Sequence, residues 1–134
     1  MTKLKSYIRH GRGAARSYLY GDLSVGDFIM GAFGAVELER NRQPNGIYHT
    51  EYLIGDSVVI LKASDAWDGP RPTGATYVFV PDVDAVYDRA IALGATSIKP
   101  PADKNEPVQI PYPRRACSVK DSFGNLWKIA TYAG

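Results

Sequence analysis

Two segments of this chain repeat one pattern sixty residues apart, and an internal duplication limits the possible folds more than any other feature present. Tyr18-Leu-Tyr-Gly-Asp22-Leu, followed by Gly34-Ala-Val-Glu-Leu38, lines up with Val78-Phe-Val-Pro-Asp82-Val, followed by Gly94-Ala-Thr-Ser-Ile98. Each copy reads as an apolar strand, an Asp at a helix start, one helix, a Gly-Ala turn and a new strand. A second pair, Gly55-Asp-Ser-Val-Val-Ile-Leu61 and Gly124-Asn-Leu-Trp-Lys-Ile-Ala130, recurs at an offset of sixty-nine. The extra nine residues fit an insertion in the second copy, between Lys99 and Arg115. Two copies of one small α+β unit make a paired structure, and paired units usually meet across a cleft.

Local signals define each unit. A first strand is expected over Ala15–Tyr20, with Asp22 or Ser24 capping a helix over Val25–Phe33 by accepting an orphan backbone N–H. Phe28, Ile29, Ala32 and Phe33 give that helix an apolar face, and Gly34 ends it. A strand over Ala35–Arg40, the turn Pro44-Asn-Gly46, and strands over Tyr48–Ile54 and Ser57–Leu61 complete a β-α-β-β-β unit. The second unit opens with a strand over Ala75–Val80. Asp82 or Asp84 then caps a helix through Leu93, with Val83, Val86, Tyr87, Ala90 and Ile91 facing inward. After a strand start at Thr96–Lys99, the prolines Pro100, Pro101, Pro107, Pro111 and Pro113 argue against regular pairing, so a stiff loop is expected over 99–114. Arg115–Val119 and Leu126–Thr131 close the unit as a hairpin.

With 134 residues the chain suits one compact domain, and 45% apolar with 22% charged residues is the composition of a globular one. Residues 1–14 read as a basic arm, and 15–134 as a domain of two modules, 15–63 and 75–134. Lys3, Lys5, Arg9, Arg12 and Arg16 come without any acid or apolar run, which is not the pattern of a secretory signal. The chain after Arg16 holds eleven basic against fourteen acidic residues, and no basic stripe with interleaved aromatics points to nucleic acid. No run approaches a membrane span, which needs about 18 apolar residues. The single Cys117 excludes an internal disulfide, and a cytoplasmic setting is the default expectation.

The arrangement resembles the vicinal oxygen chelate superfamily, the group of glyoxalase I, fosfomycin and bleomycin resistance proteins, and extradiol dioxygenases. The likeness is carried by Tyr18-Leu-Tyr-Gly-Asp22, by the run Asp27 to Leu38, and by Val80-Pro-Asp-Val-Asp84. Arg89-Ala-Ile-Ala-Leu-Gly-Ala95 and Asp121-Ser-Phe-Gly-Asn-Leu-Trp127 complete it, so it spans nearly everything after Ala15. The last motif is the most specific, with Ser122 standing where the family commonly has Pro. The resemblance implies an α+β fold in which two βαβββ modules form a U-shaped open barrel, with helices outside and a central ligand cleft. It also implies a homodimer.

Metal enzymes of that superfamily draw ligands from the first and last strand of each module. Counting along the motifs places these positions at Ala15, Val59, Ala75 and Lys128, or two residues on at Ser17, Leu61, Tyr77 and Ala130. Divalent ions in such sites need imidazole nitrogen or carboxylate and carbonyl oxygen, which neither set supplies. No metal and no cofactor is therefore expected at these positions. Of the two histidines, His10 falls in the arm, where a solvated ring is the expectation. His49 alternates with Glu51 on one strand face, while Tyr52 and Ile54 suit packing under the helices. His49 and Glu51 thus face the cleft, as a polar wall, an acid–base pair, or an unusual metal site.

The same alternation assigns Ser17, Leu19, Val59, Leu61, Tyr77, Phe79, Leu126, Lys128 and Ala130 to the cleft, and Val78, Val80, Trp127 and Ile129 to the layer beneath the helices. Arg115, Cys117 and Val119 are further candidates for the lining, with Trp67 and Tyr112 as covers at its mouth. Cys117 reads more readily as a small buried apolar residue than as a nucleophile. Apolar walls with a few placed polar groups are the general form of a small-molecule site. The leading expectation is a metal-free binding protein that sequesters a flat or partly apolar ligand. Its ligand-binding residues are Tyr77, Phe79, Lys128, Arg115 and Trp67, with His49 and Glu51 as polar anchors. The alternative is a metal-dependent lyase, isomerase or dioxygenase using His49 and Glu51. A weaker third reading is an accessory protein docking through its arm or its proline-rich loop.

Overall fold

The computed structural model describes residues 7–104 and 114–132. Two four-stranded sheets and two helices follow the duplication, an α+β fold of two βαβββ units. In the first unit β1 (Tyr18–Gly21) leads into α1 (Leu23–Phe33), then β2 (Val36–Arg42), β3 (Tyr48–Ile54) and β4 (Ser57–Ala63). In the second, β5 (Ala75–Phe79) leads into α2 (Val83–Ala92), then β6 (Thr96–Lys104), β7 (Arg114–Lys120) and β8 (Leu126–Tyr132). The sheet orders are β1-β4-β3-β2 and β5-β8-β7-β6, with β1 parallel to β4 and β5 parallel to β8. Among the described residues no strand pairs across the two sheets, so no closed barrel forms.

The helix starts and stops are where the sequence places them. Asp22 accepts from Ser24 N at 2.9 Å and Asp82 from Ala85 N at 3.1 Å, each satisfying a donor that the first helical turn leaves open. Gly34, at φ 66°, turns the chain out of α1 in the left-handed region that suits glycine. α1 packs closely on its own sheet because Gly26 has no side chain: a Cβ there would lie 2.1 Å from the Tyr52 hydroxyl. The two helices lie side by side, with Arg89 Nε donating to the Ala32 carbonyl at 3.2 Å.

One core joins both units. Trp127 of β8 is fully buried, with Phe28 and Phe33 of α1 at ring distances of 5.8 and 5.1 Å. Its indole N–H donates to Asp121 at 2.9 Å. The motif that carries the family likeness therefore works as a structural hub. Asp121 also accepts from the backbone N–H groups of Phe123 and Asn125, both at 3.0 Å, which closes the β7–β8 turn. Asn125 then accepts from Gly74 N at 2.8 Å and donates to the Tyr20 carbonyl at 3.1 Å, tying the second unit to β1. A buried polar group is costly unless paired, and these are paired across the seam.

The proline-rich segment differs from expectation. β6 continues through Pro100 and Pro101 to Lys104, with register shifts between Ser97 and Lys99 and between Lys99 and Ala102. This strand is the sheet edge, where a missing N–H breaks no ladder on the outer side and a bulge absorbs the misfit. The rest of the expected loop, including Tyr112, lies outside the described residues.

Candidate functional site

Each sheet has one side packed on helices and one side free of them. Register decides which residues share a side, since directly paired residues point the same way. In sheet 1, Tyr52 faces α1 and pairs with Val59, while Thr50 pairs with Leu61 and Leu61 with Leu19. Leu19 and Leu61 are therefore buried beneath the helix, correcting the expected lining, whereas Val59, also buried on the helix side, borders the cavity described below. The free side carries Tyr18 and Tyr20 from β1, Ile60 and Lys62 from β4, and His49 and Glu51 from β3. In sheet 2 the helix side carries Val78, Trp127, Ile129, Cys117 and Val119, and the free side carries Tyr77, Phe79, Leu126, Lys128 and Ala130, as expected.

Arg115 and Cys117 also leave the expected lining. Arg115 pairs with Thr131 on the helix side and grips Asp84 of α2 with two bonds of 2.7 and 2.9 Å, adding Asp103 at 3.1 Å. Those carboxylates hold its guanidinium pKa further above its ordinary value. The Cys117 thiol is pushed up to about 11, by burial first and by the nearby Asp84 charge second. Cys117 is thus a protonated core residue.

The free side of sheet 1 holds an aromatic row and an ionic cluster. Tyr18 and Tyr20 are 5.5 Å apart, Trp67 meets Tyr20 edge-on at 5.7 Å, and Arg71 lies 4.8 Å over Trp67. Trp67 is anchored by its indole N–H, which donates to the Gly21 carbonyl at 2.9 Å. Beside this row Glu51, 2% exposed, sits 2.7 Å from His49 Nε2 and accepts from Arg16 Nη1 at 2.9 Å. Burial acts to raise the Glu51 pKa, but the His49 bond and the Arg16 and Arg9 charges outweigh it, and the carboxyl is held below its usual range.

The arm folds onto this cluster. His10 Nε2 lies 3.4 Å from Glu39 and 3.2 Å from Glu51, and Arg9 pairs with Glu39. His10 stays exposed, as expected of an arm residue, while its ring reaches two carboxylates of the sheet. His10 adopts φ 64°, in a short 3-10 turn over Arg9–Gly11.

Sheet 2 presents a different free side. Tyr77 and Phe79, 46% and 63% exposed, stack at 5.1 Å beside Lys128, which pairs with Tyr77. By register Lys99, Arg114 and Lys120 share this side, and none of its described residues is a carboxylate. Where β1 and β5 approach, Ser17 and Thr76 hydroxyls lie 3.3 Å apart and a cavity of about 410 Å³ opens. Phe33, Ile54 and Val58 bound it from the first unit, and Tyr77, Phe79 and Val80 from the second.

The expected site residues thus fall into separate groups. His49, Glu51 and Trp67 belong to sheet 1, Tyr77, Phe79 and Lys128 to sheet 2, and Arg115 to the helix side. Sequence reasoning missed Arg16, Tyr18, Tyr20, Glu39 and His10. On the free sides β1 and β4 pair Tyr18 with Ile60, and β5 and β8 pair Tyr77 with Lys128, a set with no imidazole or carboxylate.

No family model matches the chain, and no curated protein matches it. Solved structures do match. TioX from Micromonospora sp. ML1 superposes with a TM-score of 0.66 at 23% identity, over 89% of this chain and 99% of that one. The genomically encoded fosfomycin resistance protein FosX from Listeria monocytogenes, in complex with Mn(II) and sulfate, gives 0.61 at 15% identity, over 89% and 91%. A member of the glyoxalase/bleomycin resistance protein/dioxygenase superfamily from Sphaerobacter thermophilus gives 0.61 at 22%, over 88% and 97%.

Proposed function

From the fold this chain shares with the glyoxalase/bleomycin resistance/dioxygenase superfamily, we propose that it binds a flat, anionic small molecule on the free side of sheet 2, holding it by contact and not through a strand-borne metal. The observation that carries this reading is the exposed Tyr77–Phe79 pair, which lines a cavity of about 410 Å³ and stands beside Lys128. A cavity of that size suits a small organic ligand. Aromatic faces stack on flat ligands, each pair adding about 0.5–1.5 kcal/mol beyond area burial. Lys128, with Arg114 and Lys120 on the same side, supplies cations for a carboxylate or phenolate end. No helix among the described residues is long and apolar enough to cross a membrane, and the reading takes the cytoplasm as the place of action.

Sequestration is the mode of action in this reading, and antibiotic resistance its most natural setting, since FosX is a fosfomycin resistance protein. A homodimer belongs to it too, as the resemblance to that superfamily implies. A second reading, catalysis, is favoured by the 2.7 Å contact of His49 with the buried Glu51, which orients an imidazole as acid–base chemistry requires.

A thermal-shift screen with planar aromatic carboxylates and their neutral amides tests the lead reading, because a ligand that favours the native state raises its melting temperature. Carboxylates should raise it more than amides, equally with and without chelator. Lys128→Met should weaken the carboxylate about tenfold, roughly 1.4 kcal/mol, and leave the amide unchanged. Binding that vanishes with chelator, or equal loss for both ligand types, would overturn it.

A further inference from the structure

The strongest unassigned chemistry lies on the other sheet, where residues from three separate segments converge. His10 of the arm, Glu39 of β2 and Glu51 of β3 each bring one donor atom, and these atoms lie within 4.8 Å of one another. His10 Nε2 stands 3.4 Å from a Glu39 oxygen and 3.2 Å from a Glu51 oxygen. Donors around a tetrahedral ion with bonds of 2.0–2.1 Å must themselves be roughly 3.3 Å apart, so little movement is needed to close on one.

We infer that His10, Glu39 and Glu51 form a binding site for a divalent first-row transition ion, with Zn²⁺ the best fit, that staples the N-terminal arm onto sheet 1. Nitrogen and carboxylate oxygen are the donors Zn²⁺ takes, and three protein ligands leave a fourth position for water. His49 is the positioning residue: its Nε2 lies 2.7 Å from the second Glu51 oxygen and fixes that carboxylate, as outer partners of metal ligands do. None of these residues stands on β1, β4, β5 or β8, so the site is separate from the strand positions considered above. It also lies on the opposite sheet from the proposed ligand, and neither inference depends on the other.

Two arginines oppose the ion and set its affinity. Arg16, mostly buried, donates to Glu51 and to the Gly13 carbonyl at 2.9 Å each, and stays in place. Arg9 is 65% exposed, so its pairing with Glu39 is screened and readily displaced by a dication. The retained Arg16 charge argues for a micromolar site rather than the tighter binding of a full cysteine cage. Removing Arg9 should tighten it.

The test is Zn²⁺ titration by calorimetry into the untagged, chelator-stripped full chain. One equivalent should bind with a dissociation constant on the order of 10 µM or below. His10→Gln and Glu39→Gln should each weaken binding at least tenfold, and Arg9→Ser should strengthen it several-fold. Circular dichroism without zinc shows whether each variant still folds. Zinc should raise the melting temperature of the wild type and not that of His10→Gln. The inference fails if the wild type shows no saturable binding, or if folded His10→Gln and Glu39→Gln bind zinc as the wild type does.

Discussion

The free sides of the two sheets stand on the same strand order and differ in what lies against them. On sheet 1 the chain's own arm lies against the surface, where Arg16 and His10 meet Glu51, and Tyr18, Tyr20 and Trp67 pack on one another. On sheet 2 Tyr77 and Phe79 stay exposed, Lys99, Arg114, Lys120 and Lys128 share their side of the strands, and Asp56 borders the cavity that the two rings line. A surface with its polar groups paired internally contributes to stability, whereas one left bare and charged is free to take a ligand. One strand order recurs in both sheets, and the side chains it carries differ.

The largest expected effect breaks this contrast at its most buried point. Glu51→Ala leaves the Arg16 charge without its partner, and removing one member of a buried pair costs about 3–5 kcal/mol. Lys128→Met, on the exposed side of sheet 2, should stay within about 0.5 kcal/mol of the wild type. Chemical denaturation of the two variants side by side measures the difference. Comparable losses would mean that both surfaces are structural.

How the sequence reads explains why only half of this contrast was visible in it. The βαβββ order, both Asp caps and the helix-ending Gly34 depend on short-range chemistry and lie where the local signals place them. Side alternation alone places Leu19 and Leu61 wrongly in the first unit, because period two leaves the phase of each strand open. From the buried, helix-facing strand residue to the helix cap the second unit counts one place more: Asp82 follows Val78 by four places, Asp22 follows Leu19 by three. A one-residue difference flips every side chain. The correcting signal was present in Gly55-Asp56, a two-residue hairpin that pairs Ile54 with Ser57. That register sets Tyr52 opposite Val59, so Val59 had to leave the His49–Glu51 side. The arm's folding onto Glu51 had no local signal, because it depends on long-range charge pairing between Arg16 and a residue 35 positions away.

Smaller effects sharpen the comparison. Deleting residues 1–12 removes Arg9 and His10 from sheet 1 and should cost about 1–2 kcal/mol, the worth of a few partly exposed polar contacts. Ligand binding on sheet 2 should survive, and its loss would transfer the ligand to the arm's side. Tyr77→Ala and Phe79→Ala should each weaken a planar aromatic carboxylate by about 0.5–1.5 kcal/mol in titration, with little change in stability, because both rings are largely exposed.

Cys117 gives the mildest test. Its folded pKa is raised from 9.0 to about 11, so the neutral thiol's contribution is complete below the unfolded value and is lost as pH climbs through the folded one. Thiol-reactive dye should therefore label native protein negligibly at pH 8 and label unfolded protein at once. Rapid native labelling at pH 8 would mean that β7 does not pack as described.

The central claim is that the open surface of sheet 2, and not the filled one of sheet 1, receives the ligand. Amide shift mapping by nuclear magnetic resonance, on saturation with the best planar carboxylate from the thermal screen, reads this directly. The account predicts the largest changes at Tyr77, Phe79, Ser118 and Lys128, with Tyr20, His49 and Glu51 nearly still. Changes centred on Tyr20, His49 and Glu51 would contradict it.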